Sequence, residues 1–414
     1  MRVLAGNAAE RAVAHLELRA SRLDEVEPAV RKIVASVRKD GDVALTRYAT
    51  LWDSLAKGQP LRVSAEEIEE GWKVTPIETR EALKLAAVNI RRFAKWQLPR
   101  PWTKKIAGGE LGQIVRPLDT VGCYVPGGRY PLPSTLLMTA IPAQVAGVER
   151  IVAMSPKPQP ATLAAAYLLG IREVYRCGGA QAIAAAAYGT ETVARIDKIV
   201  GPGNAYVTAA KKVVSFDCAI DMLAGPTEAV VYSENGNAEY LAWDLVAQAE
   251  HDPDAVVVFI STKTELAKSV AGLVKRAVRQ NAIATKAVRR NGYSLVAQSR
   301  EQAMEWVNRI APEHLTVDDN ADVDSVCNAG SIFVGDYSPQ SAGDYAAGSN
   351  HVLPTAGAAR FRGGLSAADF VKVITVQKFS RNGLREIAPV VTTLADTEGL
   401  QAHAKAVRVR CGDA

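Results

Sequence analysis

The chain has 414 residues, a formal net charge of +5 and 48% hydrophobic content, a length that at roughly 150 residues per domain gives two or three domains and a cleft between them. Its basic residues are dispersed rather than gathered, which suits an anionic ligand such as a dinucleotide and leaves no expectation of a nucleic-acid partner. Five cysteines without a C-x-x-C pair predict reduced thiols and a cytoplasmic location, and no apolar run reaches the ~18 residues of a membrane span, so no membrane partner is expected.

In chain order, Val30, Ile33, Val34 and Val37 form a one-faced stripe that predicts a helix from Val26, ended by Asp40-Gly41. Ser64-Ala65-Glu66-Glu67 has the form of a capping box, in which hydroxyl and carboxylate satisfy free N–H groups at a helix start. Another helix is predicted over 78–96, with Pro99 and Pro101 beyond it. The texture then changes. Strands predicted at 150–154, 173–176 and 196–200 alternate with helices at 161–169, 180–188 and 204–214, the pattern of a right-handed β-α-β series on a parallel sheet. A second alternation places strands at 229–232 and 255–260 around a helix over 238–249. The fold class expected is α/β, with two Rossmann-like parallel-sheet domains, a helical N-terminal lead-in and a C-terminal tail. The boundaries drawn are 1–20 for the lead-in, 21–123 with 227–368 for one unit, 124–226 for the other, and 369–414 for the tail.

Gly178-Gly179 and Gly201-Pro202-Gly203 fall where strands give way to helices, the edge at which open parallel sheets bind ligands. No G-x-G-x-x-G opens a helix, so a bound dinucleotide would not use the usual glycine turn. Gly201-Pro202-Gly203-Asn204 reads either as a structural turn or as a cradle offering backbone N–H groups to a pyrophosphate.

Only five histidines occur: His15, His251, His314, His351 and His403. Gln248 and His251, three apart at a helix end, share a face and can converge on one point, although a His at that end also suits the helix dipole. Glu313-His314 after Ala311-Pro312 is either an ion-paired turn or, on a loop, an acid/base pair flanking a reacting carbon. Asp344 is a candidate hard-metal ligand, and His351, seven residues on in a Gly/Ser/Asn-rich loop, a hydrogen-bonding partner for it or for substrate. Glu398 and His403 by themselves read as a solvated helix face. An N/O donor set without thiolate favours zinc or manganese as a Lewis acid, with Gln an unusual member.

These segments, together with Gly122-Cys123-Tyr124-Val125-Pro126-Gly127-Gly128, Gly178-Gly179-Ala180-Gln181, Asp197-Lys198-Ile199-Val200-Gly201-Pro202-Gly203-Asn204, Ala224-Gly225-Pro226-Thr227-Glu228 and Asn350-His351-Val352-Leu353-Pro354-Thr355, resemble the histidinol dehydrogenase family in order along nearly the whole chain. The resemblance implies that Gln248, His251, Asp344 and His403 hold one zinc, and that Glu313 and His314 are the catalytic acid/base pair. It implies NAD contacts at Tyr124, Gln181 and Asn204, and a substrate pocket at Ser134, Thr227, His351 and Glu398 with the zinc ligands and His314. On that basis 124–226 is the NAD-binding unit, and 21–123 with 227–368 the catalytic, zinc-binding one.

The implied reaction is a four-electron oxidation of L-histidinol to L-histidine through the aldehyde, using two NAD. The implied assembly is a homodimer in which the tail carrying Glu398 and His403 completes the partner's site. One departure is Thr227, where the family usually has Ser; the hydroxyl is kept and a methyl added. Two other readings remain. Relatives that oxidise a sulfonated propanediol share the catalytic motifs, but Glu398 favours an ammonium over a sulfonate. A non-catalytic NAD- or metal-binding relative would be expected to lose Glu313 or His314, and both are present.

Overall fold

The fold is described from a computed structural model for residues 1–19, 23–127 and 131–412; Gly128, which ends the first family motif, lies outside the described residues. The chain opens with β1 (Arg2–Ala5) and α1 (Gly6–Glu17), followed by α2 (Glu27–Trp52), α3 (Ala65–Val74) and α4 (Ile77–Trp96). A hairpin of β2 (Trp102–Ile106) and β3 (Gly109–Pro117) leads into β4 (Thr120–Tyr124), α5 (Pro133–Ala146), β5 (Arg150–Met154), α6 (Pro160–Leu168), β6 (Glu173–Tyr175), α7 (Gly179–Tyr188), β7 (Lys198–Val200), α8 (Ala205–Val214) and β8 (Ala219–Ile220). The second alternation runs β9 (Glu228–Tyr232), α9 (Ala238–Ala249), β10 (Val256–Ser261), α10 (Thr264–Ala277), α11 (Ala282–Asn291), β11 (Gly292–Val296), α12 (Arg300–Ile310), β12 (His314–Val317), α13 (Asn320–Val323), β13 (Ser331–Val334) and α14 (Gln340–Tyr345). The tail is β14 (Val371–Phe379), α15 (Arg381–Thr397) and α16 (Gln401–Cys411).

Two parallel sheets carry the α/β fold, as expected. The five-stranded sheet has the order β6-β5-β4-β7-β8, so its direction of growth reverses between β4 and β7. The six-stranded sheet has the order β1-β11-β10-β9-β12-β13 and reverses between β9 and β12. A strand covered on both faces reads as a nearly continuous apolar run: Val256–Ser261 is buried at every position and apolar up to Ile260. Helix α7 is buried from Ala180 to Ala187 because α2 covers the side that the sheet does not.

Four expectations change. The N-terminal lead-in is not purely helical: Arg2–Ala5 is an edge strand of the six-stranded sheet, paired with Tyr293–Val296. The helix expected to stop at Gly41 leaves helical geometry there, with φ +52°, and then resumes to Trp52. A third sheet, antiparallel in the order β14-β3-β2, joins the tail to the segment after α4 over nine paired positions from Val371–Pro117 to Phe379–Gly109. Residues 21–123 had been grouped with 227–368, yet α2 packs on α7 and α8, α3 on α6 and α4 on α5, all beside the five-stranded sheet. The capping box forms as read, with Ser64 and Glu67 exchanging both hydrogen bonds.

Candidate active site

Glu313 and His314 meet three other singled-out residues at the amino ends of β9 and β12. Thr227 precedes β9; its hydroxyl lies 2.6 Å from Glu313 Oε2 and 3.1 Å from Gln248 Oε1. The Glu228 N–H donates to the same Glu313 oxygen at 2.9 Å. Gln248 comes from the last turn of α9, which returns to this edge, and its Nε2 stands 3.4 Å from Asp344 Oδ2 on α14. Asp344 Oδ1 is 3.2 Å from His314 Nε2. The Glu-His pair was expected on a loop. His314 instead opens a strand that pairs with β9 and β13, and its ring stacks on Phe333 at 5.9 Å between centroids.

Glu313 and His314 are 6% and 3% exposed, so their charges interact through little water. Burial alone would lower the His314 pKa. The charge of Glu313 and the hydrogen bond to Asp344 outweigh it and hold the imidazole up at about 10. His314 Nδ1 is buried without a hydrogen-bond partner, 3.6 Å from Glu313 Oε2. Asp344 moves the other way: burial raises its carboxyl, and the stronger combined pull of His314, His351 and His251 lowers it.

His351 bridges the two parallel-sheet units. Its Nδ1 lies 2.8 Å from the Asp344 carbonyl and so carries a hydrogen, leaving Nε2 to accept from the Thr135 hydroxyl at 3.4 Å. The expected link to Asp344 is thus made through the backbone. Thr135 follows Ser134 in the first turn of α5, where both are buried. Asn350 donates to the Met138 carbonyl at 2.6 Å, and the Gly225 N–H donates to Thr355 at 2.6 Å.

Tyr124, Gln181 and Asn204 all lie at the carboxyl edge of the five-stranded sheet, beside its switch point. The Tyr124 hydroxyl accepts from the Gly179 N–H at 3.1 Å. Gln181 Nε2 donates to Asp53 Oδ2 at 3.0 Å, and the Gly178 N–H donates to the same oxygen at 2.9 Å. Asn204 caps α8 by accepting from the Tyr206 and Val207 N–H groups.

His251 follows α9, exposed but close enough for its charge to act on Asp344. Glu398 and His403 are not brought to the cluster: Glu398 lies exposed just after α15 and His403 exposed on α16, and the two helices pack on one another. Among the described residues, no three His, Cys, Asp or Glu side chains stand together as a metal site. Sequence reasoning missed Asp244, which lies four residues before Gln248 and so on the same helix face. It also missed Thr135, the neighbour of Ser134, and Arg19, which forms a buried ion pair with Glu228 beneath Glu313.

Residues 16–411 match the family model described as histidinol dehydrogenase. The histidinol dehydrogenase of Methanothermobacter thermautotrophicus is 44% identical over 404 residues, covering 94% of this chain and 95% of that one. The enzyme of the same name from Haloarcula marismortui is 45% identical over 399 residues, 94% of each chain. The crystal structure of histidinol dehydrogenase from Elizabethkingia anophelis superposes with a TM-score of 0.94 at 36% identity, covering 99% of this chain and 98% of that one. With the Glu-His pair, the amide and carboxylate beside it and the two parallel sheets in place, the chain belongs to the histidinol dehydrogenase family of oxidoreductases.

Proposed function

We propose that this protein oxidises L-histidinol to L-histidine in two successive NAD-dependent steps at a zinc-bearing site, as the last stage of histidine synthesis. The observation that carries the reading is the buried chain of contacts from Thr227 through Glu313 and His314 to Asp344 and Gln248. Gln248, Asp344 and His251 supply an amide, a carboxylate and an imidazole from one chain, an N/O set that fits zinc or manganese. His403 would come from a second copy. Exposed apolar side chains on β14 and the tail helices, among them Ile374, Val390 and Leu394, support such a homodimer. Zinc, when bound, would hold the substrate by its nitrogen atoms, and NAD would accept the hydride of each oxidation.

The chain's own residues account for the proton transfers. His314 takes the alcohol proton in the first oxidation. Glu313, held by the Thr227 hydroxyl and the Glu228 N–H, aligns and activates water for attack on the aldehyde, and His314 serves again as base. A base must be neutral before it can accept a proton, and Glu313 with Asp344 keeps His314 protonated in the metal-free chain. A divalent cation engaging Asp344 would take away the Asp344 share of that hold and leave the larger share from Glu313, so metal loading and the readiness of His314 would be partly coupled. Tyr124, Gln181 and Asn204 are the proposed NAD contacts. Ser134, Thr227, His351 and the partner's Glu398, facing the ammonium group, complete the substrate pocket. A cytoplasmic location accords with the five free cysteines, four of them buried.

The test is NADH yield from the zinc-loaded protein with limiting L-histidinol, against a dihydroxypropane-sulfonate control. Two NADH per histidinol, abolished by chelator and restored by zinc, are expected, and Glu313→Gln should reduce the yield toward one. Turnover of the control alone would move the protein to a polyol substrate.

A further inference from the structure

Both backbone polar groups of Gly201 are held by one buried ion pair. Lys211 on α8 and Asp221 just after β8 lie 2.7 Å apart, with 3% and 0% of their side-chain surface exposed. Asp221 Oδ2 accepts from the Gly201 N–H at 2.7 Å, and Lys211 Nζ donates to the Gly201 carbonyl at 2.5 Å. The Met222 N–H donates to Asp221 Oδ1 at 2.6 Å, and Arg362 donates to the Asp221 carbonyl. Gly201 itself has φ +115°, and a Cβ there would stand 2.2 Å from the Tyr124 carbonyl oxygen.

Burying two charges costs more than burying an apolar pair of the same volume, so stability alone does not account for them. What the ion pair supplies is a hold in two directions on one residue: a cation for its carbonyl and a carboxylate for its N–H. That residue stands at the switch point of the five-stranded sheet and is the first of the 201–204 turn. We propose that Lys211 and Asp221 are positioning residues for the dinucleotide, fixing Gly201 so that the turn and the first N–H groups of α8 keep one shape beside Tyr124. The inference rests on the reading of this edge as the NAD site. Fixing the turn before NAD arrives spares binding the cost of ordering it.

The test is calorimetric titration of NAD into the zinc-loaded enzyme, with KM and kcat measured alongside. Lys211→Met and Asp221→Asn should weaken NAD binding by about tenfold or more and raise KM for NAD more than they lower kcat. The KM for histidinol at saturating NAD should stay within about twofold of the parent, because neither Lys211 nor Asp221 is among the proposed histidinol-binding groups. Lys211→Arg, which keeps the charge and a donor, should recover most of the affinity. If Lys211→Met fails to fold, the double variant Lys211→Met/Asp221→Asn, which leaves no unpaired charge, carries the same expectation. Folded variants that bind NAD as tightly as the parent would overturn the proposal, whatever their melting temperature. A parent that binds no NAD would instead remove the cofactor reading, and that is seen before any variant is made.

Discussion

The two parallel sheets present opposite edges to the space between them. The five-stranded sheet offers its carboxyl edge, where Tyr124, Gln181 and Asn204 are already tied into backbone and side-chain hydrogen bonds. The six-stranded sheet offers its amino edge, and there the polar side chains gather: Glu313 and His314 at β12, Thr227 before β9 and Gln248 at the end of α9. Under the proposed assignment, the rule that open parallel sheets bind ligands at their carboxyl ends would describe one sheet and be inverted by the other. The contacts His351–Thr135, Asn350–Met138 and Gly225–Thr355 sew the two edges together. The difference separates two jobs. An edge of fixed backbone suits recognition of a cofactor, and an edge of buried side chains that shift one another's pKa suits proton transfer.

Each edge can be broken without the other. His314→Asn removes the proposed base and should lower kcat by about 10²–10⁴-fold, while calorimetry finds NAD affinity unchanged. A parallel loss of NAD binding would dissolve the separation. Gly201→Ala strikes the opposite edge: the left-handed φ and the Tyr124 carbonyl 2.2 Å from the new Cβ predict a loss of about 1–3 kcal/mol in urea unfolding and weak NAD binding. Zinc content should stay at the parent's level. Thr227→Val sharpens the catalytic side by deleting one of two hydrogen bonds to Glu313 Oε2. The loss should be about 1–3 kcal/mol in the second oxidation, with Thr227→Ser close to the parent when the two NADH phases are followed separately.

The smallest effect concerns Asp244, whose carboxyl is pushed up to about 6, by burial first and by the nearby Asp344 charge after it. The folded metal-free protein therefore holds this proton more tightly than the unfolded chain, whose aspartates titrate near 4. Stability falls as pH rises between those values, and Asp244→Asn should remove that fall. The variant gains on the order of 1–2 kcal/mol at pH 7 relative to pH 4, discounted for partial exposure. An equal effect at both pH values in urea titrations would show that packing rather than charge is at work.

Local pattern was enough for much of this fold. The alternation from Arg150 onward, the capping box at Ser64 and the helix over 238–249 follow from periodicity and cap chemistry, which act over a few residues. The family motifs named Glu313, His314, Gln248 and Asp344, which the fold gathers from the start of β12, the end of α9 and α14. Only the tertiary structure decided what depends on distant pairing. It placed Arg2–Ala5 on a sheet edge, paired β14 with β3 across more than 250 residues, and set Thr227 against Glu313 and Lys211 against Asp221. A strand's period says which face it buries and nothing about which strand it joins, and an ion pair leaves no trace in spacing. Glu398 and His403 mark the same boundary one level higher: their motif is legible in the chain, yet one copy leaves them exposed, and in the proposed dimer their partners would belong to another molecule.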